Sequence, residues 1–337
     1  MGQGLLNAFD SAAVIHHDAC MTAVLPDSHS VRPPTKDDAQ AVFELVAAYN
    51  TSVIGYADYT LEDATDQLTE PGFDPETDGW LVFDGDRLVG YGSLFGKGDH
   101  QLLDLDIVTT DPDVERYLLD RILQRSAELA HEFGHASVQL DAVNYKADEA
   151  RRDRFVGYRF ERGTTFHRMR IDHDGPVEAP EVPTGITVRR GAPDEESRRA
   201  GHAVLNESFA GQFGFTPRSY DEWHAAQESH SAFDWSQLTL LELDGRVVAM
   251  RMANDQFVED ENCGYIGRLG VLEEARGKGL AKFLLRDQFA LDAAAGRAGT
   301  ILHVDTNNPT PALGVYLSVG MQPTLVMEVW RREVSAA

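Results

Sequence analysis

The chain has 337 residues, 42% of them hydrophobic, 25% charged and 9% aromatic, which is enough apolar material for two or three soluble globular domains. Its 30 Lys and Arg against 55 Asp and Glu leave a formal net charge of −25. That balance argues against a general nucleic-acid binder and against an anionic membrane surface, both of which need clustered cations; acidity serves solubility, and it also draws in a cationic partner. Cys20 and Cys263 are the only cysteines, too few for a disulfide framework or a cysteine-built zinc ribbon.

Residues 1–30 read as an N-terminal extension. The mildly apolar run from Leu5 to Leu25 is broken by Asp10, His16, His17 and Asp18, and no basic residue precedes it. This fits neither a secretory signal nor a membrane span, so a cytoplasmic protein is expected. Leu6 stands where a myristoylation signal needs Ser or Thr. His16, His17, Asp18 and Cys20 are metal-ligand types without evident supporting partners, and they read as part of the extension.

From Val31 onward the pattern is strand, helix, then a hairpin over Trp80–Gly90 turning at Asp84-Gly85. A helix is predicted over Asp113–Phe133 from Leu118, Leu119, Ile122, Leu123 and Leu129. Its end carries His131-Glu132-Phe133-Gly134-His135, an H-E-x-x-H match that binds zinc only if both histidines share a helix. Gly134 reads as the helix stop and Ala136–Leu140 as a strand, which takes His135 off the helix and leaves no metal site.

The landmarks then repeat. Val31-Arg32 recurs as Val188-Arg189, the Trp80–Gly90 hairpin as Leu240–Ala249, Val138–Asp141 as Leu302–Asp305, and Gly157-Tyr158 as Gly320-Met321, at offsets of 157 to 164 residues. Order and spacing indicate a tandem duplication, with units at 31–172 and 186–337. The linker, 173–185, is rich in proline and has no apolar period. Each unit reads β-α-(α)-β-β-β-α-β-α-β, a mixed α/β class.

In the second unit a predicted strand, Gly264–Val271, leads into Arg276-Gly277-Lys278-Gly279-Leu280-Ala281-Lys282, and a helix follows over Leu280–Ala295 through Phe283, Leu284, Phe289 and Leu291. A strand feeding a glycine-rich turn at a helix N-terminus is a ready anion site. Arg276, Lys278, Lys282 and Arg286 form a cationic island in an acidic chain. The spacing is neither that of a Walker loop nor that of a dinucleotide fingerprint, and no G-x-S-x-G elbow occurs.

Arg276–Ala281 resembles the R/Q-x-x-G-x-G/A loop of the GNAT superfamily of acyl-CoA-dependent N-acyltransferases. Downstream, Asn308, Ala312, Tyr316 and Gly320-Met321 resemble that family's Asn-to-Tyr-to-Gly-Phe segment, with Met321 in place of the aromatic. The likeness spans 186–332 and, more weakly, 31–172; the arrangement is similar to tandem members such as mycothiol synthase. It implies two tandem domains, each a central mixed, mostly antiparallel sheet flanked by helices. It implies acetyl-CoA as cosubstrate and no metal, with Leu269, Gly270, Val271, Arg276, Gly277, Lys278, Gly279, Leu280 and Ala281 along the coenzyme and Asn308 near its pantetheine arm. In the same terms, the Val271 backbone N–H faces the thioester oxygen and Tyr316 protonates the departing thiolate. On composition alone, Tyr316 also reads as a core tyrosine and Asn308 as a loop residue.

Many members place a carboxylate on the strand before the loop, and Gly264–Val271 has none. The base is left open among Asp255, Glu259, Asp305 and His303, directly or through water, with an amine that arrives neutral as the further alternative. In the first unit Thr109–Glu115 stands where the phosphate loop belongs, with no glycine and with Asp111, Asp113 and Glu115, and Asp153 replaces the tyrosine. Three acids repel a pyrophosphate, so this unit reads as degenerate, structural or shaping the cleft.

The expected activity is acetyl transfer to a small-molecule amine by a monomer or homodimer. Asp221, Glu222, Glu228, Asp234, Asp255, Glu259, Asp260 and Glu261 are expected on the substrate side, where they favour a protonated amine. The alternatives are O-acylation or decarboxylation of an acyl-CoA, or acyl-CoA binding without turnover.

Overall fold

The computed structural model describes residues 23–308 and 310–337. The His16–Cys20 cluster of the extension lies outside the described residues. The first unit runs β1 (His29–Arg32), α1 (Ala39–Ile54), α2 (Leu61–Thr69), α3 (Pro75–Asp78), β2 (Gly79–Asp84), β3 (Arg87–Lys97), β4 (Leu102–Val108), α4 (Pro112–Glu132), β5 (Ser137–Tyr145), α5 (Glu149–Gly157) and β6 (Glu161–Asp172). The second runs β7 (Ile186–Arg190), α6 (Glu195–Phe209), α7 (Tyr220–Ser229), β8 (Leu238–Leu243), β9 (Arg246–Asn254), α8 (Val258–Glu261), β10 (Cys263–Val271), α9 (Leu280–Ala294), β11 (Gly299–Asp305), α10 (Ala312–Ser318) and β12 (Gln322–Ser335).

Alternation along the strands sets the layers. On β2, Trp80 and Val82 pack with α4, whereas Leu81 packs with α1 and α2 on the other face. In the second unit, Leu240 and Met250 face α6 and α7, whereas Leu241 and Ala249 face α9. Helices therefore cover both sides of a mixed sheet whose pairs are antiparallel except β4–β5 and β10–β11. Leu291, expected on the apolar face of α9, is 42% exposed; it falls beyond the arc that meets the sheet.

The two units share one twelve-stranded sheet, in the order β1-β2-β3-β4-β5-β12-β6-β11-β10-β9-β8-β7. Each unit's last strand is exchanged. β12 runs antiparallel to β5 over Met327–Ser335, and β6 runs antiparallel to β11 over Phe166–Asp172. β12 and β6 then pair with each other, joining the halves by main-chain hydrogen bonds. Arg331 on β12 adds a two-pronged ion pair to Asp141 on β5, with both contacts at 2.7 Å.

The H-E-x-x-H match is split as its local signals imply. α4 stops at Glu132, Gly134 has φ +73°, and His135 bonds the Asp99 carbonyl at 2.7 Å beyond the helix.

Candidate active site

The parallel pair β10–β11 is hydrogen-bonded only from Cys263–Ile266 against Gly299–Leu302. Beyond that point the strands part, and a cavity of about 870 Å³ opens between them. Along β10 the Leu272 N–H bonds the Val248 carbonyl on the β9 side. Backbone groups alternate along a strand, so the Val271 and Leu269 N–H groups face the opening. The Arg276 side chain bonds the Val271 carbonyl, which faces the same way, at 3.3 Å.

At the mouth, Gly277 and Gly279 both have φ +77°, a left-handed geometry that strains any residue with a Cβ. Gly279 is the N-cap of α9 and has no side chain to satisfy the first-turn N–H groups, which stay available to an anion. Arg276, Lys278, Lys282 and Arg286 form no ion pair among the described residues, despite the chain's 55 acids. These charges make the mouth of the cavity electropositive.

The lining brings together Leu269, Gly270, Val271, Arg276, Gly277, Gly279, Leu280, Ala281, Asp305, Asn308 and Tyr316. Lys278 is not in the lining; its side chain is exposed, so it can act only through its charge. Gly270 admits no other residue, because a Cβ there would collide with the Ser208 hydroxyl of α6. Asn308 folds into an Asx turn, its carboxamide oxygen accepting from the Thr310 N–H at 2.9 Å, which fixes the loop at the cavity wall.

Tyr316 is half-buried in the wall, on α10. Its hydroxyl has no hydrogen-bond partner among the described residues, and desolvation pushes its pKa up to about 12. A phenol so placed stays protonated at neutral pH and can donate to an incoming group. Asp305, at the end of β11, accepts through Oδ1 from the Thr164 hydroxyl and from the Asn307 N–H at 2.9 Å. Its Oδ2 stays free of hydrogen bonds among the described residues.

The structure separates the remaining base candidates. His303 lines the cavity but is clamped: Arg168 donates to its Nε2 at 3.2 Å, and Tyr265 lies 3.0 Å from its Nδ1. Arginine only donates, so Nε2 accepts and the proton sits on Nδ1. Burial and the charges of Arg168 and Arg268 pull its pKa down to about 3. With no lone pair to offer, His303 cannot take a proton. Asp255 and Glu259 lie away from Tyr316, in a second cavity.

That second cavity, of about 1190 Å³, lies between the units. It shares Tyr265, Gly267, Arg268 and His303 with the first, along with Asp106 and Phe166 from the first unit, so the two form one continuous cleft with a neck there. Ten carboxylates and four arginines line it, and seven of the ten come from the first unit, which the sequence had not marked. Of the acids expected there, Asp255, Glu259 and Asp260 are present. The others have local employment: Glu222 closes a capping box with Ser219, Asp234 caps Ser236, Glu228 accepts from Trp235, Glu261 pairs with Arg168 and Arg170, and Asp221 sits in the first turn of α7.

Also missed was the Ser208–Phe215 segment, which contributes Ser208, Phe209, Gln212, Phe213, Gly214 and Phe215 to the cavity lining. Its signal was a phenylalanine ending a helix and two more, with two glycines, directly after it, too generic to assign.

The first unit's counterpart of the loop closes on itself. Asp111 caps α4 by accepting from the Asp113 and Val114 N–H groups, and the buried Glu115 pairs with Arg154 at 2.5 Å. Its helix N-terminus has already taken its anion.

A sheet splayed between two parallel strands, with a cationic glycine loop at the mouth and a protonated tyrosine within, is the architecture of an acyltransferase. Residues 202–321 match the Acetyltransferase (GNAT) family, and the chain carries an acetyltransferase domain of that family. No curated protein matched the chain. Among solved structures, a GCN5-related N-acetyltransferase from Sphaerobacter thermophilus is similar at 23% identity and TM-score 0.75, covering 93% of this chain and 98% of that one. A tandem GNAT protein from the clavulanic acid biosynthesis pathway is similar at 18% and 0.68, covering 92% and 99%. Saccharomyces cerevisiae N-myristoyltransferase, solved with myristoyl-CoA bound, shares 11% identity at TM-score 0.63 over 94% of this chain and 80% of that one. At these identities the structural likenesses establish the fold. No helix among the described residues is long and apolar enough to cross a membrane.

Proposed function

We propose that the protein transfers the acetyl group of acetyl-CoA to the primary amine of a small cationic molecule, by direct attack within a ternary complex. The observation that carries this reading is the convergence, in one cleft, of the cationic loop, the Val271 N–H and the Tyr316 hydroxyl, and the opening of that cleft onto carboxylates. The loop and the α9 N-terminus hold the pyrophosphate, and the thioester lies along β10. An amine entering through the acidic cavity reaches the carbonyl at the neck. As its nitrogen bonds to carbon, charge grows on the carbonyl oxygen and the Val271 N–H stabilises it. The C–S bond breaks and the thiolate takes the Tyr316 proton. The ammonium gives one proton to water before it attacks, its nitrogen sheds a second to water or to Asp305 Oδ2 once bonded to carbon, and water returns a proton to the Tyr316 phenolate.

Free-thiol release from acetyl-CoA, measured across a panel of amines, tests this reading. N-acetylated product is expected from protonated small amines. Product acylated on oxygen, loss of carbon dioxide from a malonyl thioester, or tight binding without thiol release would each replace it with a different chemistry.

A further inference from the structure

The clamp on His303 has a direction, and its origin lies in the first unit. β6 reaches β11 through the strand exchange, and the register sets Arg168 directly opposite His303. Arg168 is held from behind. Asp58, in the loop between α1 and α2, accepts from its two terminal nitrogens at 2.6 and 2.9 Å, and Glu261 accepts from Nη1 at 3.2 Å. The guanidinium lies 4.6 Å from the centre of the Phe257 ring. Arg168 and Asp58 are both buried, and the Tyr145 hydroxyl donates to Asp58 Oδ2 at 3.0 Å.

That grip leaves the Arg168 Nε–H aimed at His303 Nε2, 3.2 Å away. The proton of the neutral ring therefore sits on Nδ1 and is donated to the Tyr265 oxygen at 3.0 Å. A hydroxyl has one proton, and Tyr265 cannot give it to a nitrogen without a lone pair. No other described residue hydrogen-bonds this hydroxyl, so its proton is turned away from His303, at the neck that both cavities share. Burial pushes the Tyr265 pKa up, against the charges of Arg268 and Arg168, so the phenol stays protonated at neutral pH and acts as a donor.

We propose that Tyr265 is a specificity-determining donor for the reaction, binding a lone-pair oxygen of the acceptor beside the amine that reacts at the neck, and that Arg168 and Asp58 are the positioning residues that aim it. This rests on the acetyl-transfer reading above and narrows the acceptor to an amine with an ether, hydroxyl or carbonyl oxygen close to its nitrogen. It also gives the first unit a part in the chemistry of the second.

The probe pair is 2-methoxyethylamine and butylamine, which differ by an oxygen in place of a methylene. The ratio of their kcat/KM values in the wild type, divided by the same ratio in Tyr265→Phe, cancels the different basicities of the two amines. That quotient should be about three- to tenfold, the scale of one hydrogen bond between neutral groups. Arg168→Met should lower the ratio as far as Tyr265→Phe does, and the double variant no further. Ring 15N NMR of the free protein reads the aim without turnover. At pH 7 His303, assigned by loss of its signal in His303→Gln, should be neutral and protonated on Nδ1; in Arg168→Met its pKa should rise from about 3 as the neighbouring charge goes. Tyr265→Phe removes only the hydroxyl and keeps the ring against Phe257, so it decides the subsite even if Arg168→Met misfolds. A quotient of one, or no acetylation of 2-methoxyethylamine while other amines react, would overturn the subsite and leave acetyl transfer standing. An Nε2-protonated His303 would overturn the positioning role of Arg168. If acetyl-CoA binds and no amine is acetylated, the functional reading itself fails and the subsite goes with it.

Discussion

In the proposed reaction Tyr316 is the proton donor, and its surroundings separate two roles. Its ring packs with Met321, Leu302 and Val304 around α10, whereas its hydroxyl bonds nothing within the described residues. Tyr316→Phe should therefore keep fold and acetyl-CoA affinity while kcat drops by ~10²–10⁴-fold, the range for loss of a general acid; unchanged kcat would make it a packing residue. Because desolvation raises its pKa to about 12, the protonated form persists through neutral pH and is lost only as pH climbs toward that value. The pH–rate profile should show no alkaline limb from this group below pH ~10, and Tyr316→Phe should not create one. A limb near pH 8 that vanishes in the variant would contradict the assignment.

Gly279 makes a second residue-scale case. Nothing stands within 4 Å of a Cβ placed there, so only its φ of +77° resists substitution. Gly279→Ala should cost roughly 1–2 kcal/mol of stability, read as a shift in the denaturation midpoint, with donor binding weakened. Gly279→Asp adds a negative charge where phosphate belongs and should abolish donor binding with a comparable loss of stability.

At the scale of elements, the strand exchange makes the halves interdependent. Without β12, β5 and β6 present open edges to solvent; without β6, β11 does the same. Residues 31–172 and 186–337 produced separately should fail to give monomers with cooperative unfolding, and mixing or co-expressing them should restore one. Two independently stable monomers would show that the exchange is dispensable.

Much of this element order was legible in the sequence, and the reasons are local. Asp-Gly turns fixed both hairpins, glycines marked the start of α9 and the stop of α4, and α4 and α9 ended within a residue or so of their predicted bounds. The exchange was not legible. Val326–Val334 reads Val-Met-Glu-Val-Trp-Arg-Arg-Glu-Val, without the strict alternation that would select a partner, so only the packing of whole units chooses. The same limit explains the acidic wall. Asp63 and Asp66 read as polar positions of an ordinary amphipathic helix, and nothing local says that α2 faces the second unit's loop, where Asp66 accepts from the Ser231 N–H at 3.0 Å.

For the whole molecule, charge is arranged in opposition: cations without ion pairs among the described residues at the glycine loop, carboxylates in the cavity between the units. Glu62 from the first unit and Glu259 from the second interact across the acceptor side, and that carboxylate partner raises the Glu259 pKa. Screening reaches roughly 8 Å at physiological salt, so acids lining a wide cavity steer a cation only when salt is low. The kcat/KM for a multiply charged amine should fall as salt rises from 50 to 500 mM, on the order of tenfold, while that for a neutral amine should move little. A flat response would reduce the acidity to a solubility feature.

The account stands most directly on a single donor site per chain, at the second unit's loop. Calorimetric titration of acetyl-CoA into the full chain should give a stoichiometry near one, and the same titration into Gly279→Asp should give no binding heat. Two equivalent sites, or one site that survives Gly279→Asp, would contradict it.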